Sequence, residues 1–100
     1  MLLKKFILNS AVKLLEIKAN TKCLDLCTGS GDILGLILKN QPNCEVVGVD
    51  NSSEMLKIAL SKFKWGKYIK ADCTNLPFND NEFDYITISF GLRNRSEERR

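Results

Sequence analysis

The sequence predicts an α/β fold, a doubly wound and mostly parallel sheet of about four strands with flanking helices, in a single domain over residues 1–100. Three observations predict it. Short apolar runs suited to strands alternate with stretches of helical periodicity. A glycine turn, Thr28-Gly29-Ser30-Gly31, joins one of those strands directly to the helix after it. Acids recur at matching places, Asp25 just before the turn and Asp50 and Asp72 at the ends of the next two strands. A chain of 100 residues can bury one modest core and has no room for a second domain.

Each element has its own signal. Ile7, Ala11, Leu14 and Lys18 share one helical face, with Phe6 and Leu15 beside it, so an amphipathic helix is expected over about 3–17. Asn9, Ser10 and Lys13 break the apolar run at the start, and no small-residue cleavage site follows, which argues against a secretory leader. A strand is expected at 22–27, the turn at 28–31 and a helix at 32–40, stopped by Asn40-Gln41-Pro42 because proline cannot continue it. Glu45 to Asp50 reads as the next strand. Asn51 with Glu54 makes a capping-box pattern, and Ser52 or Ser53 can cap instead. The stripe Met55, Leu56, Ala59, Leu60 and Phe63 then reads as the core face of a helix. A short strand is expected at 68–71 and a last one at 83–89. The connection 72–82 is near the minimum for a crossover, with room for one helical turn. Ser96-Glu97-Glu98-Arg99-Arg100 resembles a capped helix start with no apolar stripe after it. The expectation is a chain that forms the N-terminal part of a larger fold, truncated at both ends.

Composition excludes several classes. The net charge of +3 is mild and the basic residues are interspersed with acids, which is not the footprint of a nucleic-acid binder. Four cysteines with no histidine and no C-x-x-C spacing argue against a metal centre, so none is expected. Cys23 and Cys27, four apart on a strand, are expected on one face as small apolar core residues in a reducing, cytoplasmic compartment. No run is long and apolar enough to span a membrane.

Two cofactor classes use a strand, glycine turn and helix in the Rossmann-like manner. Dinucleotides want G-x-G-x-x-G with the pyrophosphate at the helix N-terminus. Counted from Gly29 and Gly31, the third glycine belongs at 34, which is Leu34; Gly35 is one out of register. Asp32, where the helix begins, would also repel a phosphate. S-adenosyl-L-methionine carries a sulfonium and an ammonium and no phosphate, so Asp25 and Asp32 suit it. Asp50, 19 residues beyond Gly31, is placed to accept ribose hydroxyls from either cofactor. Asp72 can accept from an adenine amino group, with the Cys73 backbone beside it, and Ser89 ends the fourth strand. These ends line the carboxyl edge of the sheet, where open α/β folds bind ligands. Asp84, early in the last strand, is expected to be structural.

Cys23-Leu24-Asp25-Leu26-Cys27-Thr28-Gly29-Ser30-Gly31-Asp32 resembles the first motif of class I S-adenosylmethionine-dependent methyltransferases. Ala71 to Asp84, containing Leu76-Pro77-Phe78, and Ile86 to Asn94, containing Phe90-Gly91-Leu92-Arg93-Asn94, are similar to the C-methyltransferases of menaquinone and ubiquinone biosynthesis. The resemblance runs from about Leu3 to Asn94. It implies methyl transfer from S-adenosyl-L-methionine to a ring carbon of a polyprenylated quinol, and cofactor contacts from Ser30, Asp50, Asp72 with Cys73, and Ser89. Asp25, Gly29 and Gly31 complete the expected cofactor-binding set. A quinol substrate further implies a small-molecule partner that can draw the protein to a membrane surface. The chain departs from the family in lacking its leading aromatic-rich segment and its last strands, and in Arg95, where the family has a small apolar residue. No residue reads as a general base. Arg93 is a candidate to stabilise a developing phenolate, or to tie down the loop after strand four. The alternatives are a class I methyltransferase for another small molecule, a non-catalytic fragment of one, and a dinucleotide oxidoreductase.

Overall fold

A computed structural model describes residues 7–8 and 16–88. Five strands form one sheet: β1 (Ile7–Leu8), β2 (Lys22–Leu26), β3 (Glu45–Asp50), β4 (Lys67–Lys70) and β5 (Tyr85–Ile88). Two helices, α1 (Asp32–Asn40) and α2 (Ser53–Lys62), connect β2 to β3 and β3 to β4. The strand order is β1-β5-β2-β3-β4, and every pairing is parallel. Both helices pack on one face of the sheet, so the parallel α/β expectation holds for strands two to five of the chain.

Strand alternation divides the core in two. Cys23 and Val46 face the helices and pack with Leu34, Ile37, Cys44 and Ile17. Leu24, Leu26, Val47, Val49 and Ile86 face the other way, against Phe83, Phe78, Leu76 and Ile69. The connection between β4 and β5 therefore covers the second face, and it does so with turns alone: the helical turn for which 72–82 has room does not form. Phe78 and Phe83 stack edge to face at 5.0 Å between ring centres within that cover.

Several boundaries differ from the sequence reading. Helix 3–17 is overturned where the chain is described. Ile7–Leu8 is a strand paired with Ile86 and Thr87, and residues 16–20 form no helix. Period and strand length cannot separate a short apolar run from a helix, and the β5 edge offers unpaired backbone groups that such a run can satisfy. Cys27 leaves the strand at φ 53°, so it does not share the buried face of Cys23. The cap of α2 is Ser52, whose hydroxyl accepts from the Met55 N–H at 3.2 Å; Asn51 stays outside. Leu60, expected in the core stripe, is half exposed, and α2 buries Leu56 and Ala59 instead. Asp84 takes the structural place expected of it, bonding the Lys22 N–H through its carboxylate at 2.9 Å.

Candidate functional site

The turn after β2 is built by two buried carboxylates. Asp25 has no exposed surface, and its oxygens accept from the hydroxyls of Thr28 at 2.7 Å and Thr87 at 2.6 Å. The register makes this possible, because Asp25 and Thr87 are Cα partners in the β2–β5 ladder. A buried carboxylate is tolerated only when its lone pairs are used. Asp25 thus ties the turn to β5 from below. Asp50, the last residue of β3, is 6% exposed. One of its oxygens accepts from the Gly29 N–H at 2.8 Å and the other from the Ser52 N–H at 2.9 Å. The same side chain therefore fixes the glycine turn to β3 and shapes the entry to α2.

The backbone of the turn is left-handed at Cys27, Gly29 and Gly31. Gly31 is also constrained by space, since a Cβ there would lie 2.9 Å from the Ala59 Cβ. The turn closes with Gly31 N–H donating to the Thr28 carbonyl at 2.8 Å and Gly35 N–H donating to the Gly31 carbonyl at 2.8 Å. Ser30 is half exposed, with its hydroxyl 3.4 Å from Asp32.

Asp72 lies two residues beyond β4 and is exposed. One of its oxygens accepts both the Thr74 N–H at 2.8 Å and the Thr74 hydroxyl at 2.7 Å. Those two bonds hold its carboxyl below the usual carboxylate range, so it is ionised at neutral pH. Its second oxygen is open for a donor among the described residues. Cys73 follows, half-buried, with its sulfur 3.2 Å from that of Cys27.

The expected site residues thus separate. Gly29, Ser30, Gly31, Asp50, Asp72 and Cys73 gather at the carboxyl edge of β2, β3 and β4. Asp25 belongs beneath that edge: its enclosed carboxylate gives it a positioning place, not a surface for ligand contact. Asp32 reaches sideways to the Lys62 ammonium at 2.7 Å, so its charge is met on the helix surface and adds less to a cation site than its sequence position implied. Ser89 and Arg93, with the Phe90 to Asn94 stretch, lie outside the described residues. Sequence reasoning missed Thr28 and Thr87. The signal for Thr87 was a hydroxyl inside the apolar run Tyr85-Ile86-Thr87-Ile88, but its partner required the register. No group of three or more metal-ligating side chains occurs among the described residues.

An edge of this kind, with a bent-back glycine turn and acids at two neighbouring strand ends, can hold a ligand with hydroxyl and amino donors. Solved structures share the frame. A TehB-like SAM-dependent methyltransferase from Corynebacterium glutamicum superposes with a TM-score of 0.69 at 21% identity, over 85% of this chain and 46% of that one. The plantazolicin methyltransferase BpumL, solved in complex with SAH, superposes at 0.60 and 29% identity over 68% of this chain and 26% of that one. Among curated proteins, the demethylmenaquinone methyltransferase of Thermotoga maritima is 49% identical over 79 residues, which is 79% of this chain and 34% of that protein. The Staphylococcus carnosus protein of the same name is 42% identical over 87 residues, 83% of this chain and 36% of that protein. The chain therefore spans about a third of the length of the curated relatives it matches. The model of the ubiE/COQ5 methyltransferase family matches residues 2–100, and the chain belongs to that family.

Proposed function

We propose that this chain forms the S-adenosyl-L-methionine site of a C-methyltransferase that converts demethylmenaquinol to menaquinol. The observation that carries the reading is the Asp50 carboxylate, bonded to the Gly29 N–H at the carboxyl edge with the ionised Asp72 two residues past the end of the next strand. The Gly29 and Ser52 N–H groups fix the Asp50 carboxylate at the end of β3, the place from which it would meet the ribose hydroxyls. The open oxygen of Asp72 accepts the adenine amino group, and the Cys73 backbone lies beside the ring. Ser30 and Gly31 border the remainder of the cofactor, and Asp25 holds the turn in place through Thr28. Asp50 and Asp72 suit the ribose and adenine of either cofactor class; what disfavours a dinucleotide is Leu34 at the place of its third glycine. When bound, the cofactor supplies a methyl group already activated on a sulfonium, so the protein's contribution is orientation.

The names of the curated relatives support demethylmenaquinol over the ubiquinone-pathway benzoquinol as methyl acceptor. Ser89 is assigned to the cofactor on the family resemblance, and Arg93 is a candidate either to stabilise the developing phenolate or to tie down the loop after strand four. A polyprenylated acceptor resides in lipid, so the protein is peripheral to a membrane on its cytoplasmic side; no helix among the described residues is long and apolar enough to cross one.

Calorimetry with S-adenosyl-L-methionine and with NADH tests the site. Binding of the first and not the second is expected, and the reverse result overturns the assignment. Transfer of labelled methyl to demethylmenaquinol, the benzoquinol and unrelated small acceptors tests the reaction. Label in menaquinol supports the proposal. Binding without transfer to any acceptor leaves a cofactor-binding part with no catalysis of its own, and label in another acceptor alone moves the chain to a different substrate.

A further inference from the structure

The four cysteines are of two kinds. Cys23 and Cys44 are buried, and burial pushes both thiols up, far up for Cys23. They remain neutral and inert at ordinary pH. Cys27 and Cys73 are half-buried, and their sulfurs touch at 3.2 Å across 46 residues of sequence. Cys27 is one residue past β2, in a left-handed conformation that costs a non-glycine residue energy and turns it out of the strand. Cys73 is three residues past β4. Since β3 lies between those two strands, the sulfur contact spans the carboxyl end of β3, where Asp50 is the last residue.

Neighbouring strands are about 4.8 Å apart, so β2 and β4 are separated by roughly 10 Å. A disulfide needs its Cα atoms at about 4.4–6.8 Å and its sulfurs at about 2.05 Å. Cys27 stays beside β3, because the Thr28 N–H donates to the Val49 carbonyl at 2.9 Å, whereas Cys73 lies two residues past the last β3–β4 bond, from the Ala71 N–H to the Asp50 carbonyl at 3.1 Å, so the backbone at 72–73 is what crosses toward Cys27. The sulfurs already in contact need only about a further 1.2 Å of approach.

We propose that Cys27 and Cys73 are a redox modification site, forming a reversible disulfide that bars the carboxyl end of β3. This rests on the reading that Asp50 and Asp72 hold the cofactor, because the bar crosses the strand end that Asp50 closes and includes the neighbour of Asp72. The oxidant is a low-molecular-weight disulfide. One thiolate of the pair attacks a sulfur of the small disulfide; a protein–reagent S–S bond forms as the reagent's own S–S bond breaks, and the departing thiolate takes up a proton. The second protein thiolate then attacks the protein sulfur of that mixed disulfide, forming the Cys27–Cys73 bond and expelling the second small thiol. Two protein thiols are oxidised and one small disulfide is reduced to two thiols.

The test incubates the reduced chain with oxidised glutathione, followed by acid quenching, trypsin and mass spectrometry. The expected product has lost two hydrogens and joins peptide 23–39 to peptide 71–93, with fragment ions placing the bond at Cys27. Dithiothreitol reverses it, and neither C27S nor C73S forms it. Glutathione adducts without the cross-link, or a cross-link through Cys23 or Cys44, overturn the proposal. Calorimetry on both forms is expected to show S-adenosyl-L-methionine affinity reduced about tenfold or more by oxidation and restored by dithiothreitol. Equal affinity in the two forms overturns the bar across the site. If the reduced chain binds no cofactor, the cofactor reading fails, while the cross-link is still decided by mass alone.

Discussion

Asp25 and Asp50 show how position in the fold decides what a carboxylate does. Asp25 precedes the glycine turn and Asp50 comes 19 residues after it, yet both bond to the turn, one sealed beneath it and the other at the end of β3. Removing Asp25 strands two buried hydroxyls, so Asp25→Ala is expected to lose about 3 kcal/mol of stability in urea unfolding. Asp25→Asn, which keeps one acceptor oxygen and the shape, is expected to lose about half of that. Asp72 is the place to test the proposed binding role apart from stability. Its contacts are local to Thr74, so Asp72→Asn is expected to leave the melting temperature in place while weakening S-adenosyl-L-methionine binding about tenfold by calorimetry. A melting temperature that falls with the affinity would return Asp72 to a structural role. The acids themselves were legible in the sequence, because strand ends and a glycine turn mark the carboxyl edge. Whether each faces ligand or core was not. That depends on the β2–β5 register, which sets Thr87 opposite Asp25, and register is a long-range property that no local pattern encodes.

The elements were readable where capping and periodicity agree. The predicted helix 32–40 and strand 45–50 coincide with α1 and β3, because Pro42 stops one and Asp50 with its bonded Ser52 N–H ends the other. The failure at residues 7–8 has the opposite cause: a two-residue strand exists only through its partner β5 and leaves no local signature. Packing between the helices rests on Gly35, where an added Cβ would overlap the Phe63 ring. That gives this glycine a reason unrelated to any dinucleotide fingerprint. Gly35→Ala is expected to cost about 1–3 kcal/mol, much of it recovered by adding Phe63→Leu, with a double-mutant cycle in urea as the measure. Independent additive losses would mean that the two residues do not meet. At the start of α2, Ser52→Ala removes the one side-chain cap and is expected to cost about 1 kcal/mol by the same measurement.

The molecule as a whole keeps its two sheet edges for different work, and solution conditions act on them separately. At the amino edge, Lys22 joins Glu82 at 3.2 Å and Glu45 at 3.6 Å, and Lys67 joins Glu45 at 3.5 Å, stitching β2, β3, β4 and the cover over the second face. Glu82 is held below the ordinary carboxylate range by the Asn79 N–H and by Lys22, and Lys22 is raised above its ordinary value chiefly by Glu82. A depressed acid contributes stability above its unfolded pKa and loses it as pH falls through the folded one; a raised amine contributes below its unfolded pKa and loses it as pH rises through the folded one. The melting temperature is therefore expected to form a plateau from about pH 5 to 9, falling below about pH 4 and above about pH 10.5, with Glu82→Gln blunting the acid arm. The carboxyl edge, where the cofactor is proposed to bind, is expected to respond to ligand instead. A ligand that binds only the folded state at a hundred times its Kd adds about 2.7 kcal/mol, and in a domain of this size each kilocalorie shifts melting by about 4–8 °C. S-adenosyl-L-methionine at that excess is thus expected to raise melting by about 10–20 °C across the whole plateau. Asp72→Asn is expected to shrink that shift at a fixed ligand concentration, and Glu82→Gln to lower the starting point on the plateau, with no difference left at acid pH, while leaving the shift intact. A shift that Glu82→Gln abolishes and Asp72→Asn spares would place the cofactor at the wrong edge of the sheet.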